Sequence, residues 1–536
     1  MTTPLVRFSH SALWARQRCY FEERGLDAWR SGEVPHYVTS APRAAAAWAE
    51  MVFAYIRDCV ADGLCAGGPG APPIVLIELG AGCGRFAYHF LQTYDFEAAR
   101  EFDLPPLRYV ITDYVDANLS ELARHPQFES DINAGRLDFA LLDLEDIHSS
   151  TGTLKPLDEI ALRISGDRLR GGPMICIAGY VFDSLAADLY AVQTGALQDV
   201  LVTADDSDDW SRSRFIKSNT TIEDAELLAR YQSPEMIAVL NQYRADPERE
   251  GAQFLFPVTA LQNVRRLREF ADGNLLMLCS DKAHLKAEDA ARFAPPSVDR
   301  HGSVSLMVNL HAINSYVREA GGLVLEPPHR ANSVYYCAYI FADNDSDSKI
   351  ARRFRESRHA FAERLVRLSP DDFFAIKRVL DQVQDRMNLQ QMIAHIRLSG
   401  YDARILSVFA DALLSEINDA GNFETLYVEL ARTLREVHRN FFYIGEREDL
   451  LFLLGMIAAA IRAYPDAVTY FADSLRLAGP DPDTYYNLAV CYFELRQWAA
   501  TEAALRQSLS LEVDGPDEHQ AARELLARVQ AEVAYS

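Results

Sequence analysis

Residues 74–91 read IVLIELGAGCGRFAYHFL, and this run constrains the fold more than any other. Ile74, Val75, Leu76, Ile77 and Leu79 are interrupted only by Glu78. A segment apolar at both parities suits a short strand covered on both faces in a parallel sheet. Gly80, Gly82 and Gly84 follow at alternate positions. Glycine tolerates positive φ and lets a ligand approach the backbone closely. Beyond them Phe86, Phe90 and Leu91 recur at helical spacing. Strand, glycine loop and helix together offer free backbone N–H groups to a ligand. The dinucleotide fingerprint is G-x-G-x-x-G, whereas this loop is G-x-G-x-G, one residue tighter. A plain glycine turn in an α/β protein is the bland alternative.

Further strands end in acids. Leu107 to Thr112 reads as the second strand, closed by Asp113. Ligands of open α/β sheets bind beyond the carboxyl ends of the strands, so Asp113 stands where a carboxylate could accept from a ribose diol. A solvated loop aspartate is the alternative. The third strand, Arg136 to Leu142, ends at Asp143, with Glu145 and Asp146 close behind. Pro173 to Ala178 and Leu275 to Cys279 read as the fourth and fifth strands, the latter followed by Ser280, Asp281 and Lys282. Gly321 to Glu326 and Val334 to Phe341 close the sheet, the expectation being an antiparallel edge. His301 to Asn309 reads as loop, then helix. Residues 1–70 read as mostly helical, and about 203–260 as a polar helical insertion carrying Asp205 to Trp210. The fold class is α/β, a parallel sheet with helices on both faces, followed by an all-α domain.

At 536 residues the chain has room for two or three domains. Its net charge of −24 disfavours a nucleic-acid binder that works by neutralising phosphates. No apolar run is long enough to span a membrane, and the first residues lack a signal-peptide core. The eight cysteines include no C-x-x-C pair and no zinc spacing, which predicts reduced, buried thiols in a cytoplasmic protein. Asp343 to Ser348 is a polar break and the expected domain boundary. After it the pattern is helical. Gly455, Ala467, Phe471, Ser474, Leu475 and Leu477 recur as Ala489, Thr501, Leu505, Ser508, Leu509 and Leu511. That offset is the tetratricopeptide (TPR) period, and Tyr464 and Trp498 precede the second helix of each unit. The expected divisions are 1–70, a sheet domain over 71–342, a helical connector over 343–445 and TPR-like repeats over 446–536.

Taken together, the motifs resemble one family. Glu78 to Gly84 is similar to motif I of class I S-adenosylmethionine (SAM) methyltransferases, E-x-G-x-G-x-G. Within that class the chain resembles the MidA-type enzymes. Gly32 to Pro42 is similar to their G-D-F-x-T-S-P segment, Asp113 with Leu119 to V-E-P-S-x-x-L, and Ala178 to Leu185 to A-N-E-x-x-D-A-L. Ser280-Asp281 resembles D-Y-G, and Ser303 to Asn309 resembles D-x-T-A-H-V-D. The resemblance implies a SAM cofactor held by Glu78, Gly80, Gly82, Gly84, Asp113 and Asp143, and no metal. It departs at Gly179 and Tyr180, which replace Asn and Glu, and at Asn309, which replaces Asp.

Methyl transfer needs the acceptor aligned and a proton accepted where one is lost. The catalytic candidates are Asp183, Tyr180 and Asp281. An N-cap for a helix beginning at Ser184 is the alternative role for Asp183, and His301 and His311 are further possible bases. The expected activity is methylation of a protein side chain, arginine by resemblance, with the TPR-like domain recruiting a protein partner. The rivals are a non-catalytic SAM-binding or TPR scaffold, a small-molecule methyltransferase and a nucleotide-dependent oxidoreductase.

Overall fold

The glycine stretch begins in the middle of a sheet. The computed structural model describes residues 5–145, 162–167, 169, 172–203, 215–294, 296, 298–301, 303–342, 347–419, 424–446, 448–511 and 519–535. Asp146 and Asp205 to Trp210 lie outside them. Seven strands form the main sheet: β1 (Ile74–Leu79), β2 (Leu107–Asp113), β3 (Leu137–Leu141), β4 (Met174–Gly179), β5 (Leu275–Asp281), β6 (Leu323–Leu325) and β7 (Tyr335–Phe341). Their order is β3-β2-β1-β4-β5-β7-β6. The first five run parallel, and β7 runs antiparallel to both its neighbours, β5 and β6. The antiparallel strand is therefore internal, and the edge is β6. This mixed α/β sheet is consistent with the methyltransferase-like fold expected from the sequence.

Both faces are covered, as the continuous apolar strands require. Cys337, Tyr339 and Phe341 point to the same core as Val264, Leu267, Ile313 and Val317 of the helices Val258–Phe270 and Leu310–Glu319. Tyr336, at the opposite parity, meets Trp48 of the helix Pro42–Ala61 on the other face, with ring centroids 5.7 Å apart.

The segment between β4 and β5 departs from the helical expectation. The helices Asp224–Tyr231 and Pro234–Ala245 are present. Around them Asp188–Gln193, Ala196–Thr203, Phe215–Thr221 and Gln253–Phe256 form an antiparallel sheet, joined by Leu5–Arg7 and Ala291–Arg292. Leu189, Tyr190, Ala191 and Val192 are all buried, so this strand is covered on both faces and lacks the alternation that would mark it as a strand. The His301 to Asn309 reading also changes. Val298–His301 and Ser303–Leu306 pair as antiparallel strands, and the helix begins only at Leu310.

The division expected at 343–348 falls elsewhere. The first compact unit runs on to Phe374, and the second begins at Ala375. The reason is packing: Ile350, Phe354, Phe361 and Leu365 are buried. Asp58, on the helix Pro42–Ala61, accepts from the backbone N–H and hydroxyl of Ser357 at 2.8 and 2.7 Å. Asp371 accepts from the backbone N–H groups of Ser333 and Val334 at 2.9 and 3.0 Å, which fixes the entry into β7.

The second unit is helical throughout its described residues. Leu450–Ala460 with Tyr464–Leu477, and Pro482–Glu494 with Trp498–Ser510, form two successive helix pairs. Tyr464 and Trp498, the first residues of the second helices, keep the spacing of the sequence repeat. A Cβ on Gly455 would stand 2.5 Å from the Phe471 ring, so glycine there lets the paired helices touch. Leu389–Leu398, Ala403–Asp419 and Glu424–Asn440 precede them. Among the described residues no helix is long and apolar enough to cross a membrane.

A chain ending at residue 345 removes the groups that hold β7 and the helix Pro42–Ala61. It should be insoluble or lack a cooperative melt, whereas a chain ending at 386 should melt in one sharp transition. Cooperative melting of the shorter chain by calorimetry would show that residues 347–374 are dispensable for the first unit.

Candidate functional site

The loop after β1 holds three glycines in the left-handed region, with φ of +59° at Gly80, +56° at Gly82 and +72° at Gly84. Side chains would strain this path. Gly84 is also needed for space, since a Cβ there would stand 2.9 Å from Leu122. Gly82 faces Trp29, whose indole would lie 2.5 Å from an added Cβ. The loop is fastened by Asp113 at the end of β2. One carboxylate oxygen accepts from the Gly82 N–H at 3.1 Å and the other from the Val115 N–H at 2.8 Å. Burial pushes Asp113 up to about 6, against the pull of these backbone donors.

Glu78, the last polar residue inside β1, is buried and accepts from the Tyr109 hydroxyl at 2.9 Å. Burial raises it to about 8; the Tyr109 hydrogen bond opposes this and the Asp113 charge adds to it. Across the sheet, Asp281 ends β5 and is fully buried. Its Oδ2 accepts from the backbone N–H groups of Phe182 and Asp183, at 3.0 and 3.2 Å. Asp183 accepts from the Ser184 hydroxyl at 2.9 Å. The helix expected from Ser184 is absent: Phe182–Ser184 is a single tight turn, and Leu185 is already extended. Asp183 is therefore no helix cap. Burial lifts it to about 6, opposed by Ser184 and the Lys282 charge. Asp281 is raised well above the carboxylate range, first by burial and then by Asp183 beside it. Tyr180 has φ of +53°, an uncommon conformation for an aromatic residue.

Two adjoining chambers open at this edge of the sheet. The first is lined by Glu78, Gly80 to Cys83, Gly179, Tyr180, Asp183 and Lys282, with His36, Thr39, Ser303 and Ser305 opposite. The second is lined by Asp113, Tyr114, Leu142 to Glu145 and Leu185, with Trp14, Gln17 and Arg18 from the N-terminal helix. Phe21, Trp29, Gly80, Tyr180 and Ser184 line both.

Most of the site residues expected from the sequence line one of these chambers. Glu78, Gly80, Gly82, Tyr180 and Asp183 line the first; Gly80, Tyr180, Asp113 and Asp143 line the second. Asp281 lies beneath the turn that carries Asp183, and Gly84 turns the chain into the helix Arg85–Thr93. Asp143 is paired with Arg18 at 2.6 Å, and Arg18 also stacks over the Tyr114 ring at 4.6 Å. His311 is not at the site; its Nδ1 bonds the Tyr243 hydroxyl at 2.8 Å. Asn309 caps its helix, accepting from Ala312 N–H at 3.0 Å. Sequence reasoning missed Trp14, Phe21 and Trp29, and no local pattern places an N-terminal helix over a loop fifty residues away. Among the described residues no cluster could hold a metal ion.

No family model matches this sequence, and no curated protein does. Two solved structures from Burkholderia thailandensis, both described as members of one superfamily, are similar in part. One is an uncharacterized protein, with 16% identity and a TM-score of 0.38. The other, described as a "likely methyl transferase" bound to S-adenosyl-homocysteine, has 14% identity and a TM-score of 0.40. Each match covers 64% of this chain and 90% of the other. The site described above rests on this chain's own geometry.

The raised Glu78 value fixes a sign. The folded chain holds this proton up to about pH 8, while the unfolded chain releases it near 4.5. The stabilisation is complete below the lower value and is lost as pH rises through the upper one. Glu78→Gln, which mimics the protonated form, should match the parent at pH 5 and exceed it by about 2–4 kcal/mol at pH 9 in urea unfolding without ligand. Equal stability at both pH values would place an ionised Glu78 in the folded chain.

Proposed function

We propose that this chain is a SAM-dependent methyltransferase acting on a protein side chain, with its helical unit recruiting the protein that carries the acceptor. The observation that carries the reading is the pair of adjoining chambers at the carboxyl edge of the sheet, divided over Gly80. The residues present fit the cofactor. Asp113 lines the second chamber at the end of β2, where a carboxylate can face a ribose hydroxyl. Leu142, Leu144 and Leu185 supply apolar walls for a base, with Asp143 and Glu145 at its polar edge. Glu78 and the glycine loop suit the amino-acid end.

The cofactor, when bound, supplies an electrophilic methyl group. The chain must do the rest. Asp183, ionised above about pH 6, is placed to orient the acceptor and take its proton. Asp281 holds the turn that presents it. The two helix pairs of the second unit, with the TPR period, support recruitment, because docking one part of a partner raises the effective concentration of another part at the active site.

A second reading, a silent SAM-binding scaffold, is favoured by one observation. Gly179 and Tyr180 put no carboxylate at the end of β4.

Calorimetry should show SAM binding, weakened by about 1–3 kcal/mol in Asp113→Ala. Labelled methyl should pass from SAM to protein in the native lysate, with a rate that rises through about pH 6. Asp183→Asn should lower it by roughly 10²–10⁴-fold, and deletion from Leu450 onward should lower it sharply without changing SAM affinity. Label unaffected by the deletion would reject recruitment. SAM binding with no labelled protein would leave the scaffold or a small-molecule acceptor.

A further inference from the structure

The junction of the two chambers is aromatic. Phe21, Trp29 and Tyr180 line both cavities, and all three come from segments that sequence motifs for cofactor binding do not cover or match. Trp29 is held in place from two sides. Its ring stacks on Phe21, with centroids 5.5 Å apart and planes inclined by 26°. It also lies against the Gly82 backbone, closely enough that only glycine leaves it room. Tyr180 reaches the same junction from the end of β4 with a strained backbone, and strain of this kind persists where the surroundings impose it, most often at ligand sites.

A cofactor that joins a nucleoside to an amino acid through a sulfonium has one positive charge at the link between its halves. With the nucleoside beside Asp113 and the amino acid beside Glu78, that link falls at the junction. We infer that Trp29, braced by Phe21 and Gly82 at a junction that Tyr180 also lines, is the sulfonium-recognising residue of this chain and sets its preference for the charged cofactor over the neutral thioether product. The inference rests on the cofactor reading proposed above. Its chemistry is attraction between a cation and the electron-rich face of an indole. The same feature gives product release a physical basis: loss of the methyl group removes the charge, and with it the contact.

The test compares the affinities of the full chain for SAM and for S-adenosylhomocysteine by calorimetry. Trp29→Leu should reduce the ratio of the two by roughly two- to thirty-fold, the range of such contacts, chiefly by weakening SAM, while Trp29→Phe should keep part of the preference. If Trp29→Leu fails to fold, the parent chain grown on fluorinated tryptophan keeps the shape of the ring and weakens its face. Its ratio should fall, and the ratio of fluorinated Trp29→Phe should not. A parent that binds both ligands, with a ratio untouched by substitution or fluorination, overturns the inference and leaves the cofactor reading standing. A parent that binds neither overturns both.

Discussion

The edge of the sheet depends on one device used twice: an aspartate at the end of a strand accepts backbone N–H groups from a neighbouring loop. Asp113, closing β2, fastens the glycine loop of β1. Asp281, closing β5, fastens the turn after β4 through Phe182 and Asp183. Backbone amides have no side chain to move, so a carboxylate that binds them fixes a loop to the strand that supplies the acid. Both acids are buried, and burial raises both, so the device works against the desolvation of its own carboxylates. The two loops it fixes are the two that carry Gly82 and Asp183.

Between these clamps the N-terminal helix closes the site. Arg18 pairs with Asp143 and stacks on Tyr114, and Tyr114 donates to the Arg18 carbonyl at 3.4 Å. Trp29 packs on the loop itself. Each of these contacts joins residues from the first thirty positions to strand ends much later in the chain. The site is thus built from the whole first unit, and its walls are not contained in any single motif.

That arrangement explains what was legible in the sequence. The strands β1 to β5 could be read because each is a short apolar run closed by glycine or acid. Gly82, Asp113 and Asp183 could be placed because they follow those strands directly. The antiparallel sheet around Asp188–Gln193 could not, because that short run is buried on both faces and such a run does not distinguish strand from helix. The internal position of β7 was equally hidden, since an apolar strand shows neither its direction nor its neighbours. The boundary at 343–348 misled for a related reason: Asp343 to Ser348 is polar, but the chain beyond it returns to bury Phe354 and Leu365. Trp29 carries no signal at all until the loop it touches is folded.

The pairing of the outermost strand has a consequence for how the protein is made. Leu5–Arg7 lies beside Leu201–Thr203, and β7 enters the main sheet between two strands that precede it in synthesis. Neither contact can form on the ribosome until the later partner has emerged. The first residues must therefore wait, unpaired, while some two hundred others are translated, and the sheet is completed only after β7 is released. Contacts so distant along the chain favour slow folding. The edge of β5 likewise stays without its partner from the translation of Asp281 until Tyr335 to Phe341 have followed, an order set by topology and not by stability.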